Sequence, residues 1–137
     1  DNKYTQDLEL VNIEFFDKNT DIKKITYCNK NFIELVNTII YIVKYYENYK
    51  FKISPRTILE ILVGASNKQI KVFKLYKNKY YGYLTVDDRQ KYWALFKALT
   101  KEEILNVDES NYNNVTVIKD HLTLDDYKII YASIKIK

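Results

Sequence analysis

Apolar positions recur at intervals of three and four in two early stretches of the chain. Residues 31–46 show this spacing clearly, which predicts an amphipathic helix capped by Asn29 or Asn31. The second stretch opens at Ser54-Pro55, where serine suits the N-cap and proline the first helical position. The apolar positions are Phe32, Leu35, Val36, Ile39, Ile40 and Val43 in the first stretch, and Ile58, Leu59, Ile61 and Leu62 in the second.

A tight joint is predicted where the second helix stops. Gly64 suits a left-handed C-cap, and Ser66 or Asn67 can cap a short following helix that contains Ile70 and Phe73. Both glycines and the only proline of the chain fall within residues 54–82. The unusual backbone geometry is therefore concentrated around this joint, as in a helix-turn-helix.

After an aromatic, irregular segment at residues 75–84, a further helix is expected. Asp87 is predicted to cap it and Gln90 to reach back in a capping box. Its apolar positions are Tyr92, Leu95, Phe96 and Leu99. Ile104-Leu105 is predicted to form a short strand.

The end of the chain changes to a period of two. Residues 115–118 and 128–137 alternate and are rich in β-branched residues and tyrosine, which predicts two strands joined by a turn at residues 124–127. Helices followed by such a hairpin predict an α+β fold of the winged-helix type, a helix-turn-helix core with a C-terminal β-hairpin wing.

The predicted domain organisation is simple. Residues 1–30 are expected to form an extended lead-in, and residues 31–137 the winged-helix domain. Residues 106–114 are interpreted as an insertion before the wing. The complete lack of methionine indicates a piece of a longer protein.

Charge is distributed unevenly, although the net charge is only +4. Residues 68–91 hold six lysines and one arginine against Asp87 and Asp88. A solvated lysine face and a phosphate-binding face both fit this distribution. The basic residues are Lys68, Lys71, Lys74, Lys77, Lys79, Arg89 and Lys91.

Several function classes are disfavoured by composition. Two glycines cannot build a phosphate-binding loop, and one cysteine (Cys28) with one histidine (His121) cannot supply a four-ligand zinc site or a catalytic triad. The carboxylate pairs, Asp87-Asp88 and Asp125-Asp126, are expected in a helix cap and a turn. No apolar run approaches the roughly 20 residues of a membrane span. A stand-alone enzyme is not expected, and the single cysteine fits a reducing, intracellular setting.

In this order the motifs resemble a known family, the RecQ-C-terminal (RQC) winged helix of RecQ-family DNA helicases, notably the Bloom and Werner branch. Leu62-Val63-Gly64-Ala65 stands where the family has Leu-Arg-Gly-Ser. The other matching elements are Ile70, Tyr81-Gly82, Leu95-Phe96-Lys97-Ala98-Leu99, Ile104-Leu105 and Ile130-Tyr131-Ala132. The resemblance covers roughly Phe32 to Ile136.

The resemblance implies a domain that docks beside an upstream helicase core and binds duplex or forked DNA, with its wing as a wedge between the strands. It implies a nuclear parent protein, an ATP-dependent 3′–5′ DNA helicase active in DNA repair, replication and recombination. ATP, Mg²⁺ and Zn²⁺ would belong to upstream parts of that protein. For this chain itself the expectation is no cofactor and no membrane.

The resemblance and the charge pattern together give the predicted DNA contacts. The family's Arg and Ser are replaced by Val63 and Ala65, so phosphate binding is assigned to neighbouring groups. Tyr127 is assigned to the wing tip, where its ring could stack on an exposed base. The full set of candidate DNA-binding residues is Ser66, Asn67, Lys68, Lys71, Arg89, Lys119, Tyr127 and Lys128.

A protein-interaction module is the competing hypothesis. The replacement of the family's Arg and Ser, the modest net charge and the acidic turn at residues 124–127 all favour it. It differs from the first hypothesis in predicting weak or no DNA binding even at low salt.

Overall fold

The computed structural model describes residues 21–49, 51–85 and 88–135. In these ranges the helices are α1 (Phe32–Glu47), α2 (Pro55–Val63), α3 (Lys68–Val72), α4 (Arg89–Lys101) and α5 (Leu124–Lys135). The strands are β1 (Thr26–Tyr27), β2 (Lys30–Asn31), β3 (Leu105–Asp108) and β4 (Asn114–Val117), in two antiparallel pairs. The fold is α+β and of the winged-helix type, as the sequence predicted. None of the described helices has the length and apolar character needed to cross a membrane.

Helix α1 forms the centre of the core. The Oδ1 atom of Asn31 accepts a hydrogen bond from the backbone N–H of Glu34 at 3.1 Å, so Asn31 is the N-cap. The predicted apolar stripe is confirmed, because one whole face of the helix is removed from solvent. The buried residues on this face are Phe32, Leu35, Val36, Thr38, Ile39, Ile40, Ile42, Val43 and Tyr46.

Helix α2 begins and ends where its local signals predict. The Oγ atom of Ser54 accepts from the backbone N–H of Thr57 at 3.2 Å, and Pro55 occupies the first helical turn. Gly64 closes the helix in the left-handed region, with φ 69° and ψ 37°. Both predictions are therefore confirmed.

The described part of the predicted lead-in, residues 21–30, is folded against the core. Ile22 and Cys28 are buried, and β1 pairs with β2 through a two-residue turn, Cys28-Asn29, in which both φ angles are positive. Burial, assisted by the nearby charge of Asp88, raises the pKa of the Cys28 thiol to about 11. The thiol therefore stays protonated at neutral pH. Residues 1–20 lie outside the described ranges.

Helix α4 is capped one residue later than predicted. The Oδ1 atom of Asp88 accepts from the backbone N–H of Lys91 at 3.4 Å, which makes Asp88 the N-cap. Lys91 therefore occupies the third helical position, and Gln90 is not placed to complete a capping box. Asp87 itself lies outside the described residues.

The wing is the hairpin β3–β4, and the predicted insertion at residues 106–114 is part of it. The register pairs Leu105 with Val117 and Asp108 with Asn114. Ile53 joins the hairpin, since its carbonyl accepts from the N–H of Val115 at 2.9 Å. This contact fixes β4 beside the start of α2.

The prediction of a second wing strand at residues 128–137 is wrong, because residues 128–135 belong to helix α5. Residues 136–137 lie outside the described ranges. Thr123 and Asp126 form a capping box: the Asp126 carboxylate accepts from the Thr123 N–H at 2.8 Å, and Thr123 Oγ1 accepts from the Asp126 N–H at 3.2 Å. The predicted turn at residues 124–127 is therefore the first turn of a helix. Tyr127 and Ile130 are buried at helical spacing, which overrides the β-branched composition.

Helix α5 closes the domain against α4 and the start of α1. The ring of Tyr131 meets that of Phe32 edge-on, with centroids 5.2 Å apart. The Asp126 carboxylate has a lowered pKa, chiefly because it accepts from the Thr123 backbone and also because Lys119 bonds to it. The charged form of Asp126 therefore favours the folded helix start.

Candidate nucleic-acid interface

Gly64 forms the centre of the joint between α2 and α3. Its N–H and that of Ala65 bond back to the carbonyls of Ile61 at 3.2 Å and Glu60 at 2.9 Å, which satisfies the end of α2. A Cβ atom at position 64 would lie only 3.2 Å from the Cα atom of Gly82. The joint therefore needs glycine for its φ angle and for the close approach of a second backbone.

The backbone that approaches Gly64 belongs to the segment Tyr81–Leu84, which runs past the end of α2. The Gly82 N–H donates to the carbonyl of Ile61 and the Leu84 N–H to that of Leu62, each at 2.9 Å. The Tyr81 hydroxyl lies 2.9 Å from the carbonyl oxygen of Gly64 and 2.6 Å from that of Ala65. These bonds hold both ends of the basic segment 65–81 at one place.

Four of the predicted contact residues lie together at the start of α3. Asn67 caps this helix by accepting from the Ile70 N–H at 2.9 Å, so its side-chain oxygen serves the fold. Ser66, Lys68 and Lys71 are exposed. Ile70 is buried and anchors α3 to the core, which leaves the two lysines on the outer side.

Arg89 is exposed in the first turn of α4, five residues after Leu84. The buried Tyr92 holds this end of the helix beside α2, because its hydroxyl donates to the carbonyl of Pro55 at 2.7 Å. Asp88, the N-cap, stands next to Arg89 and pairs with Lys91 at 3.5 Å. Positive and negative groups therefore alternate at this helix start.

The tip of the wing presents an aromatic residue that the sequence analysis did not select. Tyr112 is 84% exposed and has φ 56°, and Asn113 follows with φ 57°. Asp108 stiffens the approach to the tip by accepting from the N–H of Ser110 at 3.1 Å. A bulky residue held in the left-handed region costs about 1–2 kcal/mol, and such strain concentrates at functional sites.

A usable signal for Tyr112 was present in the sequence. Residues 108–114, which are polar apart from Tyr112, separate two short apolar alternations, residues 105–107 and 115–117. That pattern is typical of a hairpin with a longer loop, but it was interpreted as an insertion.

The three predicted contacts at the C-terminal end are not on the wing. Tyr127, placed at the wing tip by the sequence analysis, is 7% exposed and its hydroxyl donates to Asn37. Lys119 follows β4 and pairs with Asp126 at 3.1 Å, while Lys128 lies on α5 within 4.0 Å of Asp125. The wing-tip placement of Tyr127 and the placement of Lys128 beside the hairpin are wrong, because residues 124–135 form a helix. Lys119 does flank the hairpin, two residues after β4. The ring of Tyr127 is not exposed and therefore cannot stack on a base.

The described part of the chain contains no candidate metal site. No group of three or more His, Cys, Asp or Glu side chains there could hold an ion. The interface can offer cationic side chains, hydroxyls and one exposed ring at the wing tip.

The family model of the RQC domain matches residues 26–123 of the chain. No curated protein and no solved structure matches the chain. The match runs from β1 through the joint, α4 and the whole β3–β4 hairpin, and ends just before α5. Since it spans more than half of the 137 residues, the family suggested by the joint and its spacing is confirmed. The chain belongs to the RQC domain family, the DNA-binding module of RecQ-type helicases.

Proposed function

We propose that this domain binds duplex DNA beside a fork through phosphate contacts and sets its β3–β4 wing where the strands separate. The observation that carries the proposal is the wing tip, where Tyr112 projects into solvent from a strained backbone. A flat ring in this position can stack on the last base pair or on a base freed from it.

Phosphate binding is supported by the charge of the segment that contains the joint. No acidic residue occurs between Glu60 and Asp87, whereas Lys68, Lys71 and three further lysines do. Lysine and arginine contacts to phosphate release counterions and are independent of base sequence. The joint therefore suits the role of positioning a duplex, with Arg89 as an additional contact.

The wing tip has a different character. Asp108 and Glu109 precede Tyr112, so the approach to the tip carries two carboxylates. These groups repel phosphate, which favours contact of the tip with bases. The division between a cationic joint and an aromatic tip supports duplex binding at one place and strand separation at the other.

Replacing Ser66 by alanine and Lys68, Lys71 and Arg89 by glutamine in one variant tests the joint. Removing three cations is expected to reduce the slope of log K against log salt by about 2–3, since each phosphate contact contributes about 0.9. The measurement is a fluorescence-anisotropy titration of a forked duplex at several salt concentrations.

The control variant carries the same change of charge on exposed lysines outside the joint: Lys23→Gln, Lys97→Gln and Lys101→Gln. Its slope should stay within one unit of the wild-type slope. If both variants lose the same slope, the charge acts generally and the joint is not the phosphate site.

Tyr112→Ala tests the wing. We expect the preference for forked over blunt duplex to fall at least fivefold, because stacking on one base contributes about 1–3 kcal/mol. Binding to blunt duplex should not change. A 2-aminopurine base at the junction would report the accompanying loss of base unstacking.

Tyr112→Phe is the matched control, since it keeps the ring and removes only the hydroxyl. It should behave as the wild type does in both assays. A preference for forks that survives Tyr112→Ala would refute the wedge role of the ring.

Protein binding is a second candidate function, favoured by a groove between α4 and the wing. Trp93 and Ile118 are both exposed along it, and Phe96, Lys97 and Leu105 also line it. Exposed aromatic surface of this kind is common where proteins associate. An absence of forked-DNA binding at low salt would make this the preferred function.

The wider context is part of the same proposal. An upstream helicase core would supply ATP hydrolysis with Mg²⁺, and an upstream zinc subdomain would carry the metal. The parent protein would work in the nucleus on repair, replication or recombination intermediates. The full-length sequence, with helicase motifs and four cysteines upstream, is the direct test.

A further inference from the structure

A row of tyrosines begins on the outer side of α1, opposite its buried face, and ends two residues after the helix. Tyr41, Tyr45 and Tyr49 are spaced by four residues and are 37–49% exposed. Centroid distances are 6.0 Å between Tyr41 and Tyr45 and 5.3 Å between Tyr45 and Tyr49, with interplanar angles of 33° and 30°. We call these three residues the tyrosine row. Their rings are close to parallel, so they form a stepped aromatic surface.

The row continues at both ends through further aromatic contacts. Tyr80 meets Tyr41 edge-on at 5.1 Å. At the other end, Tyr46 contacts both Tyr49 and Phe51, and Phe51 stacks on the exposed Phe73 at 4.7 Å and 17°. A chain of ring contacts, which passes through the buried Tyr46, therefore links the row to the exposed Phe73 after α3.

Positive charge borders this surface. The Lys79 ammonium lies 4.8 Å from the ring centre of Tyr41 and 5.1 Å from that of Tyr80. Lys74 and Lys77 are exposed on the same segment, 73–80, which alternates aromatic residues with lysines and contains no carboxylate. A buried bond from Asn78 to the Tyr46 hydroxyl, at 3.3 Å, fixes this segment to α1.

Two carboxylates near the row are already engaged: Glu47 lies on α1 itself, and Asp120 lines the same pocket as Tyr41. Glu47 accepts from the N–H of Val117, and Asp120 pairs with Lys44. The exposed surface therefore combines partly exposed rings with lysines that pair with no carboxylate among the described residues.

We propose that the tyrosine row and the lysines of segment 73–80 bind single-stranded DNA, with bases stacked on the rings and phosphates near the lysines. Stacked aromatic side chains combined with positive charge are the features that bind single strands without sequence preference. Charge complementarity argues for a polyanion over a protein surface. The rings of this site lie on and just after α1, outside the joint, although its lysines belong to the basic segment 65–81. The site takes a different form of DNA.

The test uses a fluorescein-labelled thymidine 15-mer and the variant Tyr45→Ala/Tyr49→Ala. Affinity for the 15-mer is expected to fall at least tenfold, because two stacking rings are lost. Affinity for a blunt duplex should change less than twofold. The variant Tyr45→Phe/Tyr49→Phe keeps both rings and should retain wild-type affinity for the 15-mer.

A second comparison separates this proposal from the proposed duplex site. The joint variant at Ser66, Lys68, Lys71 and Arg89 should lose duplex affinity and retain affinity for the 15-mer. Three results would overturn the proposal: 15-mer binding that survives loss of both rings, equal loss of single-strand and duplex affinity, or no binding of the 15-mer by the wild-type chain. The last result would indicate that the row serves a protein partner.

Discussion

Replacing Tyr127 by alanine is expected to lower the free energy of unfolding by about 3–5 kcal/mol, the range found when a large buried aromatic residue is truncated. The side chain is almost fully buried between α5 and α1, and its hydroxyl donates to Asn37 at 2.5 Å. The variant loses both the packing of the ring and this bond between helices that are distant in the sequence. Urea denaturation, followed by circular dichroism, measures the effect.

Tyr127→Phe is the matched control, because it keeps the ring and removes only the hydroxyl. A cost of about 1 kcal/mol is expected, as for one hydrogen bond at a partly buried site. The comparison also discriminates between the two placements of this residue. At an exposed wing tip, even the alanine variant would leave stability unchanged.

Gly64→Ala is expected to cost about 2–3 kcal/mol. About 1–2 kcal/mol comes from placing a side chain at φ 69°, where Cβ approaches the following carbonyl. The remainder comes from the new Cβ atom, which would press against the Cα of Gly82 at 3.2 Å, a contact with backbone that cannot rotate away. Thermal and urea unfolding of the variant give the value.

Gly82→Ala separates these two contributions. Gly82 has a similar φ, 73°, but a Cβ there would meet nothing within 4 Å. Its cost should be about 1 kcal/mol, since only the backbone preference is affected. Equal costs at positions 64 and 82 would show that the close approach of the two backbones adds nothing.

The parts of the fold that follow from local chemistry could be predicted from the sequence. Ser54-Pro55 and Gly64 mark a helix start and end through hydrogen bonds and φ preferences that involve only near neighbours. The stripe along α1 is also local, since it depends on spacing alone. For the same reason the joint, with Ser66, Lys68 and Lys71, was placed correctly, although its contact with DNA stays a prediction.

Helix α5 could not be predicted from composition, because its β-branched and tyrosine residues favour a strand locally. Its helical state depends on burying Tyr127 and Ile130, which lie about 90 residues from the α1 partners such as Asn37. The Thr123–Asp126 capping box is the local signal that favours a helix here. A predicted strand at residues 128–137 displaces the wing toward the C-terminal end and leaves Tyr112 outside it.

Gly82 and Leu84 are hydrogen-bonded to the end of α2. This arrangement lets the charge of the domain change independently of its stability. Residues 65–81 leave and rejoin the fold beside Gly64, and between these points only Ile70, Leu75 and Asn78 are buried. Substitutions at exposed surface positions usually change stability by no more than about 0.5 kcal/mol. The number and spacing of lysines there can therefore vary while α2 and α4 keep their positions. Affinity for a polyanion can thus be tuned in this domain with little cost to its stability.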